Sequence, residues 1–169
     1  PPSRAVGPRT KVAVDSIEKE VDPVGACIGA RGARIQQVVN ELRGEKIDVI
    51  KWSSDPIQYI LNSLSPAKVD LVRLVDPEGQ HAHVLVPPDQ LSLAIGREGQ
   101  NVRLAARLTG WKIDVKNSHE YDQEAEDEAV SELIIQREDE ENLQREAELK
   151  LEAEQAERAA EDARLRELY

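Results

Sequence analysis

The sequence predicts an α+β fold made of two similar small modules followed by an acidic tail. Three observations carry this reading. A short block recurs: Gly29-x-x-Gly32 matches Gly96-x-x-Gly99 at an offset of 67, and Lys46-Ile47-Asp48-Val49 matches Lys112-Ile113-Asp114-Val115 at an offset of 66. Around each glycine pair the apolar residues alternate, then recur at helical spacing, so each copy reads strand, short helix, GxxG, longer helix, strand. After Ser118 glycine and proline vanish, and residues 119–169 carry 19 acidic and 6 basic side chains.

The elements follow in chain order. Residues 1–8 are rich in Pro and Gly and read as a linker. Thr10 to Asp15 alternates and is β-branched, a strand. Asp22 is placed as an N-cap with Pro23 at the first helical position, opening a short helix that ends at Gly29. Ile35, Val38, Val39 and Leu42 form a helical stripe, with Gly44 where a C-terminal cap belongs. "EKIDVIKWS" is a strand, and the first module spans about 9–54. Asp55-Pro56 opens a helix with Ile57, Ile60, Leu61 and Leu64 on one face, closing at Ser65-Pro66. "KVDLVRLVD" and "HAHVLV" form a hairpin around "PEGQ". "PDQLSLAIG" reads as a second Asp-capped short helix, "QNVRLAARLTG" as a helix ending at Gly110, and "WKIDVK" as the last strand of a second module over 55–117. In the first module the counterparts of the extra helix and strand would lie before Pro1, so it reads as possibly incomplete. Residues 118–169 read as a partly formed, solvated helix with disordered stretches. Acid-before-base pairs four apart, such as Glu141 and Arg145, each add only about 0.2–0.5 kcal/mol there.

Composition excludes several functions. The overall charge of −11 belongs to the tail, because residues 1–118 hold 14 acidic and 16 basic side chains. A body this close to neutral does not suit sequence-blind binding to duplex DNA, which needs many phosphate neutralisations. Aromatic residues are 3% of the chain, too few for base-stacking platforms on strands. There is no apolar run long enough for a transmembrane helix and no signal-peptide pattern, and the single cysteine suits a reducing, cytoplasmic setting. The lack of any methionine suggests a natural start further upstream.

The glycine pairs are the candidate site. Glycine lets backbone approach a ligand and adopt positive φ. A helix N-terminus directly after such a loop offers free N–H groups and a favourable dipole to phosphate. The K-homology (KH) module uses a GxxG loop in this way to clamp single-stranded nucleic acid. A lone GxxG is also compatible with a simple glycine turn between helices; the second copy with matching flanks favours the clamp. The candidate RNA contacts are Ile28, Gly29, Ala30, Arg31, Gly32 and Arg34 in the first copy. In the second they are Ile95, Gly96, Arg97, Glu98, Gly99, Gln100, Asn101 and Arg103, with Glu98 a discordant acid.

"VDPVGACIGARGARIQQVVNELRGEKIDVIKW", "LSPAKV" and "PPDQLSLAIGREGQNVRLAARLTGWKIDV" resemble the tandem KH region of the NusA family of bacterial transcription factors. The resemblance covers about Arg9 to Val115. It implies two type II KH domains, each a three-stranded mixed sheet with helices on one face. It also implies binding of nascent single-stranded RNA at RNA polymerase, among other elongation factors, with effects on pausing, termination and antitermination. The family's polymerase-binding N-terminal domain and S1 domain have no counterpart here, so this chain should lack what they supply.

Other candidates are weaker. Cys27 has no histidine nearby in sequence and reads as a small buried apolar residue. His81 and His83 share one strand face, but no Cys or His cluster supplies further metal ligands. Trp52 and Trp111 read as packing residues at domain edges. No catalytic arrangement, cofactor fingerprint or metal motif is present, so no enzyme activity and no cofactor are expected. The alternative function is an adaptor that binds polymerase or ribosomal factors through the KH surface and the acidic tail.

Overall fold

A computed structural model describes residues 2–4 and 9–167, and side chains within 9–158 except that of residue 157. It divides into two units, residues 1–122 and 123–169.

The first unit contains two three-stranded sheets. In the first, β1 (Pro2–Arg4) pairs antiparallel with β2 (Arg9–Val14), which pairs parallel with β3 (Lys46–Lys51). The second repeats this pattern: β4 (Leu71–Asp76) is antiparallel to β5 (His81–Val86), and β5 is parallel to β6 (Lys112–Asn117). Each parallel crossover carries two helices. These are α1 (Pro23–Ile28) and α2 (Ala33–Glu41) in the first domain, and α4 (Pro88–Ile95) and α5 (Gln100–Thr109) in the second. Helix α3 (Pro56–Ser63) precedes the second sheet.

Both sheets are mixed, as expected. The stretch expected to be a linker contributes β1, whose backbone completes the first sheet, so that sheet is not short of a strand; residues 1 and 5–8 lie outside the described residues. A composition rich in Pro and Gly does not exclude an edge strand, where one side needs no ladder partner.

The caps explain most helix boundaries. Asp22 and Asp55 each accept a hydrogen bond from the backbone N–H two residues on, with proline following at the first helical position. Helix α4 differs from expectation: its cap is Pro87, and Asp89 lies inside the first turn, where its charge still suits the helix dipole. At the end of α2, Arg43 as well as Gly44 adopts positive φ, and the Gly44 N–H donates to the Val39 carbonyl.

The main core belongs to the second domain. Ala82, Val84 and Val86 of β5 point to one face, as strand alternation requires, and pack with Val72 and Ile113 against Ile60 and Leu64, Ala94, and Ala105. The helices therefore cover one face of this sheet. In the first domain the stripe on α2 stays open, with Val38 46% and Leu42 40% exposed.

The two domains pack through the outer face of the first sheet. Ile50 forms a buried cluster with Tyr59 and Leu108, and the Tyr59 hydroxyl donates to the Leu108 carbonyl at 3.2 Å. Lys11 is fully buried, and its ammonium donates to Asp48 Oδ2 at 3.1 Å and to the Ser65 carbonyl at 2.9 Å. Trp52 lies at this edge beside Tyr59, with ring centroids 6.4 Å apart, and Trp111 packs against the second core. Cys27, expected to be buried, is exposed, because α1 is a short surface helix whose one buried residue is Pro23.

The second unit is α6 (Gln123–Glu167), a helix of 45 residues along the stretch expected to hold a partly formed, solvated helix. At 1.5 Å per residue it is about 68 Å long. Without Gly or Pro, and rich in Glu, Ala, Gln and Arg, the segment contains no breaker to stop it. Among the described residues, no helix is long and apolar enough to cross a membrane.

Candidate nucleic-acid interface

The two GxxG loops have the same backbone. Gly29 sits at φ 74°, ψ 176° and Gly96 at 76°, 173°. Arg31 and Glu98 occupy the left-handed region at 52°, 26° and 54°, 28°, and Gly32 and Gly99 follow at 77°, 13° and 70°, 16°. Each loop is a single turn between two helices. Its last glycine is the N-cap of the longer helix, and neither glycine provides a side-chain cap. No side chain caps α2 or α5, and the first N–H of each helix, Ala33 and Gln100, donates to the loop carbonyl of Ala30 and Arg97.

The first glycine of each loop is required by close packing. A Cβ on Gly29 would lie 2.7 Å from Arg34 Cγ, and one on Gly96 would lie 2.8 Å from the Asn101 backbone nitrogen. Arg34 and Asn101 are equivalent, five residues after that glycine, and both hold down the preceding short helix. Arg34 donates to the Ala26 carbonyl at 2.7 Å, while the Asn101 amide donates to the Leu64, Leu93 and Ala94 carbonyls at 3.0–3.3 Å. Asn101, expected as a ligand contact, has a buried side chain whose amide positions the loop.

The remaining loop side chains point outward. Ala30, Arg31, Arg97, Glu98 and Arg103 are exposed. Glu98 is 82% exposed, with Arg97 Nε 4.0 Å from its carboxylate, and Arg103 donates to the Glu98 backbone carbonyl. The second loop is thus partly neutralised, whereas the first carries Arg31 with no acid in the loop.

Beside the second loop lies a groove of about 470 Å³, lined by Ile95, Val102, Ile113, Asp114, Val115 and Lys116. Its apolar part comes from α4, α5 and β6. Strand β6 is an edge strand, as β3 is in the first sheet, so one row of backbone N–H and C=O groups has no strand partner. The first domain places Ile28, Ile35, Ile47 and Val49 at the corresponding positions. Ile95 was expected from sequence, and Gln100 stands at the first position of α5. Strand residues 113–116 were missed, although their signal is the KIDV repeat that follows both GxxG helices.

The model of the NusA-like first KH domain matches residues 2–52, and that of the NusA-like second KH domain matches residues 56–123. The chain carries the tandem KH domains of the NusA family. Curated relatives named transcription termination/antitermination protein NusA agree. The Halalkalibacterium halodurans protein is 54% identical over 131 residues, covering 76% of this chain and 34% of that protein. The Bacillus subtilis protein is 55% identical over 115 residues, 68% of this chain and 31% of its own length. The Thermus thermophilus protein is 57% identical over 111 residues, 66% and 28%. The chain therefore spans about a third of the curated relatives it matches. A solved structure described as "Crystal structure of APE1850" shares the fold at a TM-score of 0.50 and 26% identity, covering 64% of this chain and 79% of that one. All three relatives match over more than 110 residues, and within this NusA-type pair the two copies of KIDV belong to separate domains.

Proposed function

We propose that the NusA-type KH pair binds single-stranded RNA, as a non-enzymatic part of a cytoplasmic transcription elongation factor acting in pausing, termination and antitermination. The observation that carries this is the shared geometry of the two loops: two helix N-termini without a side-chain cap, each reached over a glycine pair. Phosphates sit on the loop amides, helped by Arg31 and Arg97. Bases lie along the aliphatic groove and take hydrogen bonds from the open edges of β6 and β3. The RNA is nascent transcript, and RNA polymerase and other elongation factors are the partners, as the name of the relatives suggests.

The loop packing selects the test. Substitution at Gly96 would collide with Asn101 backbone, so it would confuse folding with binding. At Gly32 and Gly99 nothing lies closer than 3.9 Å to an added Cβ, and aspartate tolerates the left-handed region better than most residues. Gly32→Asp and Gly99→Asp each place a carboxylate where phosphate would bind. Titration of labelled single-stranded RNA should show at least about tenfold weaker binding in the double variant, with unchanged circular dichroism. Unchanged affinity would remove the reading and favour the adaptor role.

A further inference from the structure

The face of the second sheet opposite its helices is lined by polar side chains. His81 Nε2 lies 2.6 Å from Asp114 Oδ2 across β5 and β6. His83, only 2% exposed, lies directly opposite Asp114 in the strand register, and its ring meets that of His81 edge-on with centroids 5.2 Å apart. One ligand atom from each of His81, His83 and Asp114 lies within 4.8 Å of the others, a single such group among the described residues. Tyr121 Oη is 3.2 Å from His83 Nδ1 and is itself held by the Arg73 guanidinium at 2.8 Å.

The repeat provides an internal comparison. Arg9 and Lys11 hold the same register positions against Lys46 and Asp48 that His81 and His83 hold against Lys112 and Asp114. In the first domain two basic side chains therefore hold the carboxylate, Arg9 at 2.8 and 3.1 Å and Lys11 at 3.1 Å. In the second domain the same two places are filled by imidazoles, which can act as neutral ligands. The carboxylate keeps its place while its partners change from charges to donors.

We propose that His81, His83 and Asp114 form a site for a transition-metal dication of the zinc type. Two imidazoles and one carboxylate are a donor set that zinc accepts, with a fourth position left to water. Ligands about 2.0–2.2 Å from a tetrahedral ion lie roughly 3.3–3.6 Å apart, which small side-chain rotations reach from the present spacing. The ion takes the place of the proton shared between His81 Nε2 and Asp114 Oδ2. Tyr121 fixes the His83 ring through Nδ1, the outer-shell support such ligands need. Entry is from the Asp114 side, where the side chain is 41% exposed. Lys112 and Lys116 flank Asp114 on β6 and Arg73 neighbours His83 on β4, so a hard cation held by charge alone is disfavoured and imidazole affinity must carry the binding.

The test is calorimetric titration of the full chain with zinc chloride, and absorption titration with cobalt chloride. One ion per chain is expected, with a visible cobalt band of low-coordinate geometry. The double variant His81→Arg with His83→Lys installs the first domain's residues and keeps Asp114 between two cations. It should weaken zinc binding by on the order of 100-fold or more. His83→Gln, checked for folding by circular dichroism, should do the same, and Tyr121→Phe should cost about tenfold through the outer shell. The proposal is overturned if the parent chain binds neither metal, or if the parent and these variants bind alike, which would assign the ion to the acidic helix.

Discussion

Lys11 is a charged side chain with no exposed surface, placed where two domains meet. Burial pushes its pKa below the usual 10.5, the Asp48 carboxylate opposes that shift, and Arg9 adds to it. The folded chain thus binds this proton less readily than the unfolded chain. Stability should therefore rise with pH across the window from the lowered value up to 10.5, and fall as pH drops back through it. Urea unfolding of the parent and of Lys11→Met at several pH values checks this. The parent should gain on the variant as pH rises, and a constant difference would disprove the linkage. At neutral pH the variant should lose about 1–3 kcal/mol, because the Ser65 carbonyl is left without its donor. The sequence offers no hint of this contact, since Ser65 is 54 residues away from Lys11. Asn101 misleads for a similar reason. Beside a GxxG it looks like a ligand contact, yet its amide is used to hold three carbonyls.

Helix boundaries are written locally and were legible. Asp55-Pro56 and Asp22-Pro23 start helices where expected, and Gly110 ends α5 in the left-handed conformation. Asp55→Ala should cost about 1 kcal/mol in thermal or urea unfolding, the usual loss of one side-chain cap. Asp89→Ala should cost less, because Asp89 makes no cap bond to α4 and contributes only through the dipole. The same local pattern could not separate the cap at Asp55 from the first-turn acid at Asp89, since both precede an apolar stripe near proline. What differs is two residues of register: Asp55 is the cap itself, whereas Asp89 is the second helical residue, behind Pro87 and Pro88. Strand β1 was missed because its reason to exist is the partner β2, and pairing is not visible in three residues of Pro, Ser and Arg.

The tandem arrangement follows from the repeat, and the acidic helix is a separate unit whose charge has the same sign as that of RNA and repels it. Removing residues 123–169 takes away the whole net charge of −11 while leaving the unit that holds both sheets. We expect RNA affinity to increase several-fold, and most at low ionic strength, where screening is weakest. RNA titrations of the two chain lengths at two salt concentrations test this. Equal affinities would mean the helix does not influence the RNA face.

Two glycine pairs, two KIDV strands and the caps between them were enough to establish the α+β class, the duplication and the two glycine loops, because each depends on residues near one another in the chain. The burial of Lys11 and Asn101, the groove beside β6 and the grouping of His81, His83 and Asp114 came from folding. Each joins side chains from different strands or domains, and strand order and register, which no local pattern encodes, decide which of them meet.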